Sequence, residues 1–211
     1  VRMFPLALVR RSLSLRLPAA VFLLLCGSPM LTPARSLAAA GETVSSQSTG
    51  LVIGNGSTQL AQTFTAENTG SLDRVSVNVS RTGDPGSLTA SIETVDGSGH
   101  PTGLVLGSGA IPSSSVPADA GDNFVDIVLT VPVSVTAGVQ YGLVLRAAGA
   151  CSGGLDCPPF TIVETPAATY GWAGSAADTY AGGQALVNTG SGSVVAGSPA
   201  DFDFETQVLE T

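Results

Sequence analysis

The chain has 211 residues, with 26 Gly, 13 Pro and only 11% charged residues. That length bounds it to one or two domains, and this composition excludes a mostly helical protein. Hydrophobic residues at 44% exclude disorder, because they can fill a core. Lysine is absent, and Arg2, Arg10, Arg11, Arg16 and Arg35 leave only three later arginines against all 16 acids. Such a surface repels phosphate backbones and anionic lipid, which excludes nucleic acid as a partner.

In chain order, a basic stretch precedes the apolar run from Leu17 to Cys26, and Ala38-Ala39-Ala40 then offers a small-residue cleavage site. That order predicts a secretory signal peptide over 1–40. The run is shorter than the ~20 apolar residues that span a bilayer, so a membrane anchor is not expected. Lipid attachment at Cys26 is not expected either, since Leu25 stands where a small residue is needed. Arg10-Arg11-Ser12-Leu13 comes near a twin-arginine signal, but Ser14 breaks the pattern, and ordinary secretion is the expectation. No apolar tail or sorting motif precedes Thr211, so a monomer outside the cell with no transmembrane segment is expected.

Residues 41–57 are rich in Ser, Thr, Gly and Gln and are expected to form a linker or a loose first strand. Period-two alternation then predicts strands. Val75, Val77 and Val79 share one face, as do Leu88, Ala90 and Ile92. Val125, Ile127, Leu129 and Val131 do the same, followed by Tyr141, Leu143 and Leu145, and by Phe202 and Phe204. Further strands are expected at 59–65, 104–110, 169–174 and 184–189. Breakers separate them at Gly83-Asp84-Pro85-Gly86, Asp96-Gly97-Ser98-Gly99, Thr136-Ala137-Gly138 and Gly182-Gly183. Short alternating strands with frequent turns predict an all-β, two-sheet antiparallel sandwich, a jelly roll of eight to nine strands over 58–211.

Candidate chemistry is sparse. Cys151 and Cys157 have five residues between them in Gly-rich sequence, and in an exported chain that predicts a disulfide worth about 2 kcal/mol. His100 is the only histidine and lies in a turn beside Pro101, and no G-x-S-x-G elbow occurs, so no catalytic residues are assigned. Asp201, Asp203 and Glu205 alternate along one strand, and Asp119, Asp122 and Asp126 surround a turn. Both sets have two readings, a solvated acidic face or a structural calcium site, with a glycosidase pair behind them. No other cofactor is expected. Tyr170 and Trp172 fall two apart on one strand with Tyr180 beyond, which suits a flat platform for sugar rings; the alternative places Trp172 in the core.

Several motifs follow one another along the chain. They are Gln62-Thr63-Phe64-Thr65, the stretch from Gly99 to Leu106, that from Thr136 to Leu145, Tyr170-Gly171-Trp172, Tyr180-Ala181-Gly182-Gly183, and Asp203-Phe204. Together they resemble the bacterial "choice-of-anchor R" domain of exported and surface proteins, over 59–208. The resemblance implies a non-catalytic jelly roll similar in build to carbohydrate-binding modules. Glycan or cell-envelope material is the partner it implies, with a structural or protein-interaction role as the alternative and an exported hydrolase third. The chain departs from that pattern in lacking a C-terminal anchor and in the loop 151–166.

Overall fold

Alternating valines that fill one side of a strand must meet a second apolar face, and here they meet the Leu and Ile residues of another sheet. The computed structural model describes residues 51–53, 59–119, 121, 123–148, 168–177, 180–188, 193–196 and 199–210, all within the unit Pro33–Thr211. Its strands are β1 (Leu51–Ile53), β2 (Gln59–Thr65), β3 (Gly70–Thr82), β4 (Leu88–Val95), β5 (Pro101–Ile111), β6 (Phe124–Val135) and β7 (Gln140–Ala147). Then follow β8 (Thr169–Trp172), β9 (Gly174–Ser175), β10 (Ala185–Asn188), β11 (Ser193–Val195), β12 (Asp201–Phe202) and β13 (Phe204–Glu210). The proposed signal peptide, Cys26 and the pair Cys151 and Cys157 lie outside the described residues. Among the described residues, no helix is long and apolar enough to cross a membrane.

One sheet runs β1-β8-β3-β6 and the other β2-β7-β4-β5, with every pairing antiparallel. Strand pairs β1–β8, β2–β7, β3–β6 and β4–β5 are therefore all hydrogen bonded. That is one long hairpin rolled into two layers, the jelly roll. The strand count exceeds eight or nine because this hairpin carries an excursion. As β3 advances, its neighbour is first β13 (Glu210 to Phe204) and then β8 (Trp172 to Thr169). The eighth strand is thus interrupted at Ala173 and resumes at Phe204. Between those points the chain crosses to the other sheet, where β10 pairs with β2 and β11 with β10. The two-stranded neck β9–β12 brings it back. Of the 41–57 segment, only Leu51–Ile53 is described, and it is a strand paired to β8 with Ile53 in the core.

The core joins Val75, Val77 and Val79 with Leu88, Ala90, Ile92, Leu143 and Leu145 from the facing sheet. Phe64, Tyr141 and Phe204 form a chain of tilted rings, with centroids 5.8–5.9 Å apart. In β6 the expected alternation holds at Ile127 and Leu129, fails at Val131, which is exposed, and resumes on the same face at Val133 and Val135. A step of two along β3, from Leu72 to Arg74, is matched by a step of five along β6, from Val133 to Val128. Pro132 lies in that irregular stretch and has no N–H for the ladder, so the register breaks there: β6 buries the same set of alternate residues on both sides of Val131, and it is β3 that changes face, from Leu72 to Val75.

Candidate functional site

The three aromatics expected to present a platform go to different places. Tyr170 and Trp172 are fully buried, so neither can stack on a sugar. Trp172 lies flat on Phe202 at 4.4 Å, and its indole Nε1–H donates to the Asp203 carbonyl at 2.9 Å. The Tyr170 hydroxyl donates to the Gly86 carbonyl. This corrects the platform expectation: β8 is covered by β1 on one edge and by β3 on the other, and its side chains fill the core. Tyr180 is half-buried, edge-on to Phe204.

Asp201 and Asp203 are not on a solvated face; both are buried, whereas Glu205 is intermediate. Gln62 Nε2 donates to Asp201 Oδ1 at 3.0 Å, and the Tyr180 backbone N–H donates to Oδ2 at 3.1 Å. The Gln62 side-chain carbonyl in turn accepts from the Phe202 N–H at 2.8 Å. Asn78 Nδ2 donates to Asp203 Oδ2 at 2.9 Å, while Asn78 Oδ1 accepts from the Asn123 N–H. These bonds close the gap where the eighth strand breaks, and they are why two carboxylates tolerate burial. Asp203 and Asp201 thus clasp the base of the excursion. No group of three potential metal-ligating side chains converges among the described residues. In the second acidic set, Asp126 binds Arg74 at 2.7 Å and Ser76 at 2.5 Å, Asp119 uses its carbonyl to accept from Asn123, and Asp122 is outside the described residues.

Close to Tyr180, the excursion and two turns enclose an open cleft of about 400 Å³. Its walls are Gly97, Ser98 and Gly99 from the β4–β5 turn, Thr65 and Gln140 from β2 and β7, and the segment Ala181–Gln184 before β10. No charged side chain lines it, so it offers amides, hydroxyls and backbone groups alone. Thr65 Oγ1 donates to the Gly182 carbonyl at 2.8 Å, and Gln140 Nε2 reaches the same carbonyl at 3.4 Å. The Tyr180 hydroxyl accepts from the Thr65 N–H at 3.1 Å, fixing the floor. Gly183 is obligatory, since a Cβ there would sit 1.6 Å from the Thr63 carbonyl oxygen.

The upper wall is a tight turn. Asp96 Oδ1 accepts the backbone N–H groups of Ser98 and His100, and Gly99 takes φ +77°. Those bonds, that from His100 first, hold the Asp96 carboxyl below its ordinary value. Burial pushes the Tyr180 phenol up, against the hydrogen bond it makes to Thr65. His100 takes part through its backbone, which also returns its carbonyl to the Asp96 N–H at 2.9 Å.

Sequence reasoning marked every stretch around the cleft as a turn or strand end and missed that they meet. Gln140 and Gln184 carried no local signal. The motifs Gln62–Thr65, Gly99–Leu106, Thr136–Leu145 and Tyr180–Gly183 each supply a wall or a brace of this one region. No protein-family model matches the chain, and a comparison with curated proteins finds no match.

Proposed function

We propose that this chain is a non-catalytic, exported jelly-roll module that binds glycan or neutral cell-envelope polymer in the cleft beside Tyr180. One observation carries the reading: the cleft of about 400 Å³ is walled by Gln140, Gln184, Ser98, Thr65 and four glycines, with no charge among them. Its volume falls within the range of small-ligand sites, about 300–1,000 Å³. Amides and hydroxyls both donate and accept, which matches the hydroxyls of a neutral sugar. An apolar or ionic ligand would find little there. The ordered motifs shared with the choice-of-anchor R domain support the same reading, as does the proposed signal peptide.

The module is a binder and not an enzyme in this reading. Hydrolysis needs an acid and a base converging on a substrate, and among the described residues two carboxylates beside the cleft region are engaged elsewhere. Asp201 is sealed by Gln62 and the Tyr180 N–H, and Asp96 serves its own turn.

A glycan array probed with the purified chain tests the proposal. Binding to uncharged glycans that Gln184→Ala and Gln140→Ala each weaken about tenfold, with unchanged melting, is the expected result. Silence across neutral glycans and cell-wall polymers overturns it.

A further inference from the structure

The cleft beside Tyr180 has a notch in its rim. Gly99 stands there at φ +77°, in the turn that Asp96 holds by accepting the Ser98 and His100 N–H groups. A Cβ placed on Gly99 would meet Gln140 Oε1 at 3.3 Å and Gln184 Nε2 at 3.4 Å. Two side-chain amides, one at the start of β7 and one just before β10, therefore close on the space this glycine leaves open. They face it with opposite polarity, an acceptor from Gln140 and a donor from Gln184. The Gln140 polarity is set by its Nε2, which donates to the Gly182 carbonyl at 3.4 Å. Among the described residues no hydrogen bond joins the two amides, and none uses the Gln184 side chain.

An open donor and an open acceptor over one point are costly to strip of water unless the ligand re-pairs both. A secondary amide does so with one rigid group, because its N–H and C=O lie on opposite edges of a plane with no rotor between them. A sugar with hydroxyls alone is held most strongly by ionised side chains, since charge-assisted hydrogen bonds are about twice as strong as neutral ones. No charged side chain lines this cleft, and the one wholly apolar side chain in its lining, Ala181, is no larger than an acetyl methyl group.

On the reading that the cleft holds a neutral glycan, we infer that the notch over Gly99 reads an acetamido group, so that the ligand class is a glycan of N-acetylated amino sugars. The acetamido N–H donates to Gln140 Oε1 and its carbonyl accepts from Gln184 Nε2. Ser98 and the backbone of the wall glycines remain for the ring hydroxyls. Charge favours the acetylated sugar over its ionised relatives. Beyond residue 40 the chain has three arginines against 16 acids, which repels a carboxylated sugar. A free amino sugar is drawn to those acids at large and finds none in the cleft lining. A peptide also carries amides, but its side chains need apolar pockets, and this lining offers them Ala181 alone.

Titration calorimetry on the purified chain tests this with tetra-N-acetylchitotetraose, cellotetraose, fully deacetylated chitotetraose and N-acetyl-tetraglycine amide. The first two share one glucan backbone and differ in carrying acetamido or hydroxyl beside the anomeric carbon. The acetylated tetramer should bind about tenfold more tightly than each of the others. That margin should vanish in Gln184→Glu, which turns the donor into an acceptor on a partly exposed side chain and should leave melting unchanged. Equal affinity for the acetylated tetramer and cellotetraose overturns the inference and leaves the neutral-glycan reading standing, as does failure of both while other uncharged glycans bind. A margin that survives in Gln184→Glu overturns it too. Tightest binding of the deacetylated tetramer, abolished by salt, overturns it in favour of simple charge attraction. Tightest binding of the tetraglycine amide overturns it in favour of a peptide. Silence of every uncharged glycan removes the glycan reading and the acetamido assignment together.

Discussion

Removing the Asp201 carboxylate would leave two N–H groups without their acceptor at once, one of the two on Gln62 Nε2, whose other bond goes to the Thr63 carbonyl, and the part-buried Tyr180 N–H. Each orphaned donor costs about 1–3 kcal/mol, so Asp201→Ala should lower the melting temperature by several degrees. Glu205→Ala, on the more accessible acid of the same run, should stay within about 0.5 kcal/mol of the parent. Equal losses in the two variants would deny Asp201 its clasp. Because the carboxylate oxygens of Asp201 already take amide donors, a chelator should leave the melting curve unmoved, and a chelator-sensitive midpoint would place calcium elsewhere in the chain. The pH dependence has two arms. Backbone N–H bonds lower Asp96 below its ordinary 3.8, so its contribution is present above that value and is lost as pH falls through the folded one. Amide exchange at Ser98 and His100 should therefore rise only under strong acid. Burial raises Tyr170 and Tyr180 above 10.0. Their contribution is intact below 10.0 and is lost as pH rises through the folded values, and phenolate absorbance should appear together with loss of sheet signal.

At the level of elements, the test is how β10 is fastened. The Thr63 N–H donates to the Gln184 carbonyl at 3.0 Å, and the Gln184 N–H donates to Thr63 Oγ1 at 2.9 Å. Gly183 lies directly over that contact, so Gly183→Ala must push β10 off β2 and should destabilise by about 1–3 kcal/mol. It should also abolish cleft binding, because the same backbone forms a wall. Alanine at Gly138, which has open space around it, is strained by its φ of +78° alone and makes the milder control. Alternation made β2, β3, β4 and β7 legible from residues alone, since each has one face in the core. It failed at Val131, where Pro132 breaks the ladder, and at Asp201 and Asp203, where period two gives the side a residue points to and not what covers that side. The split of the eighth strand had no local mark at all. Its halves, Thr169–Trp172 and Phe204–Glu210, become one line only through their shared neighbour β3. The cleft is hidden for the same reason, its turns being joined by pairings between distant segments.

For the molecule as a whole, the rolled hairpin and the charge balance pull in different directions. Each of the four strand pairs except β4–β5 closes a long stretch of chain, so folding waits on distant pairings and should be slow, in the millisecond-to-second range typical of all-β domains. While it waits, the acid excess keeps unfolded copies apart. The cost appears in the folded state, where the acids are drawn together. Two ion pairs oppose that repulsion among the described residues, Arg74–Asp126 at the surface and Arg146–Glu93 beneath it. Salt weakens the exposed pair, worth at most about 1 kcal/mol, and scarcely reaches the buried carboxylate. It also screens repulsion among the acids, which outnumber the arginines beyond residue 40 by 16 to three. The melting temperature should therefore rise as sodium chloride is added to a dilute solution. A fall would mean that the two ion pairs outweigh the repulsion, and the fold would then depend on Arg146 holding Glu93 more than on its valine core.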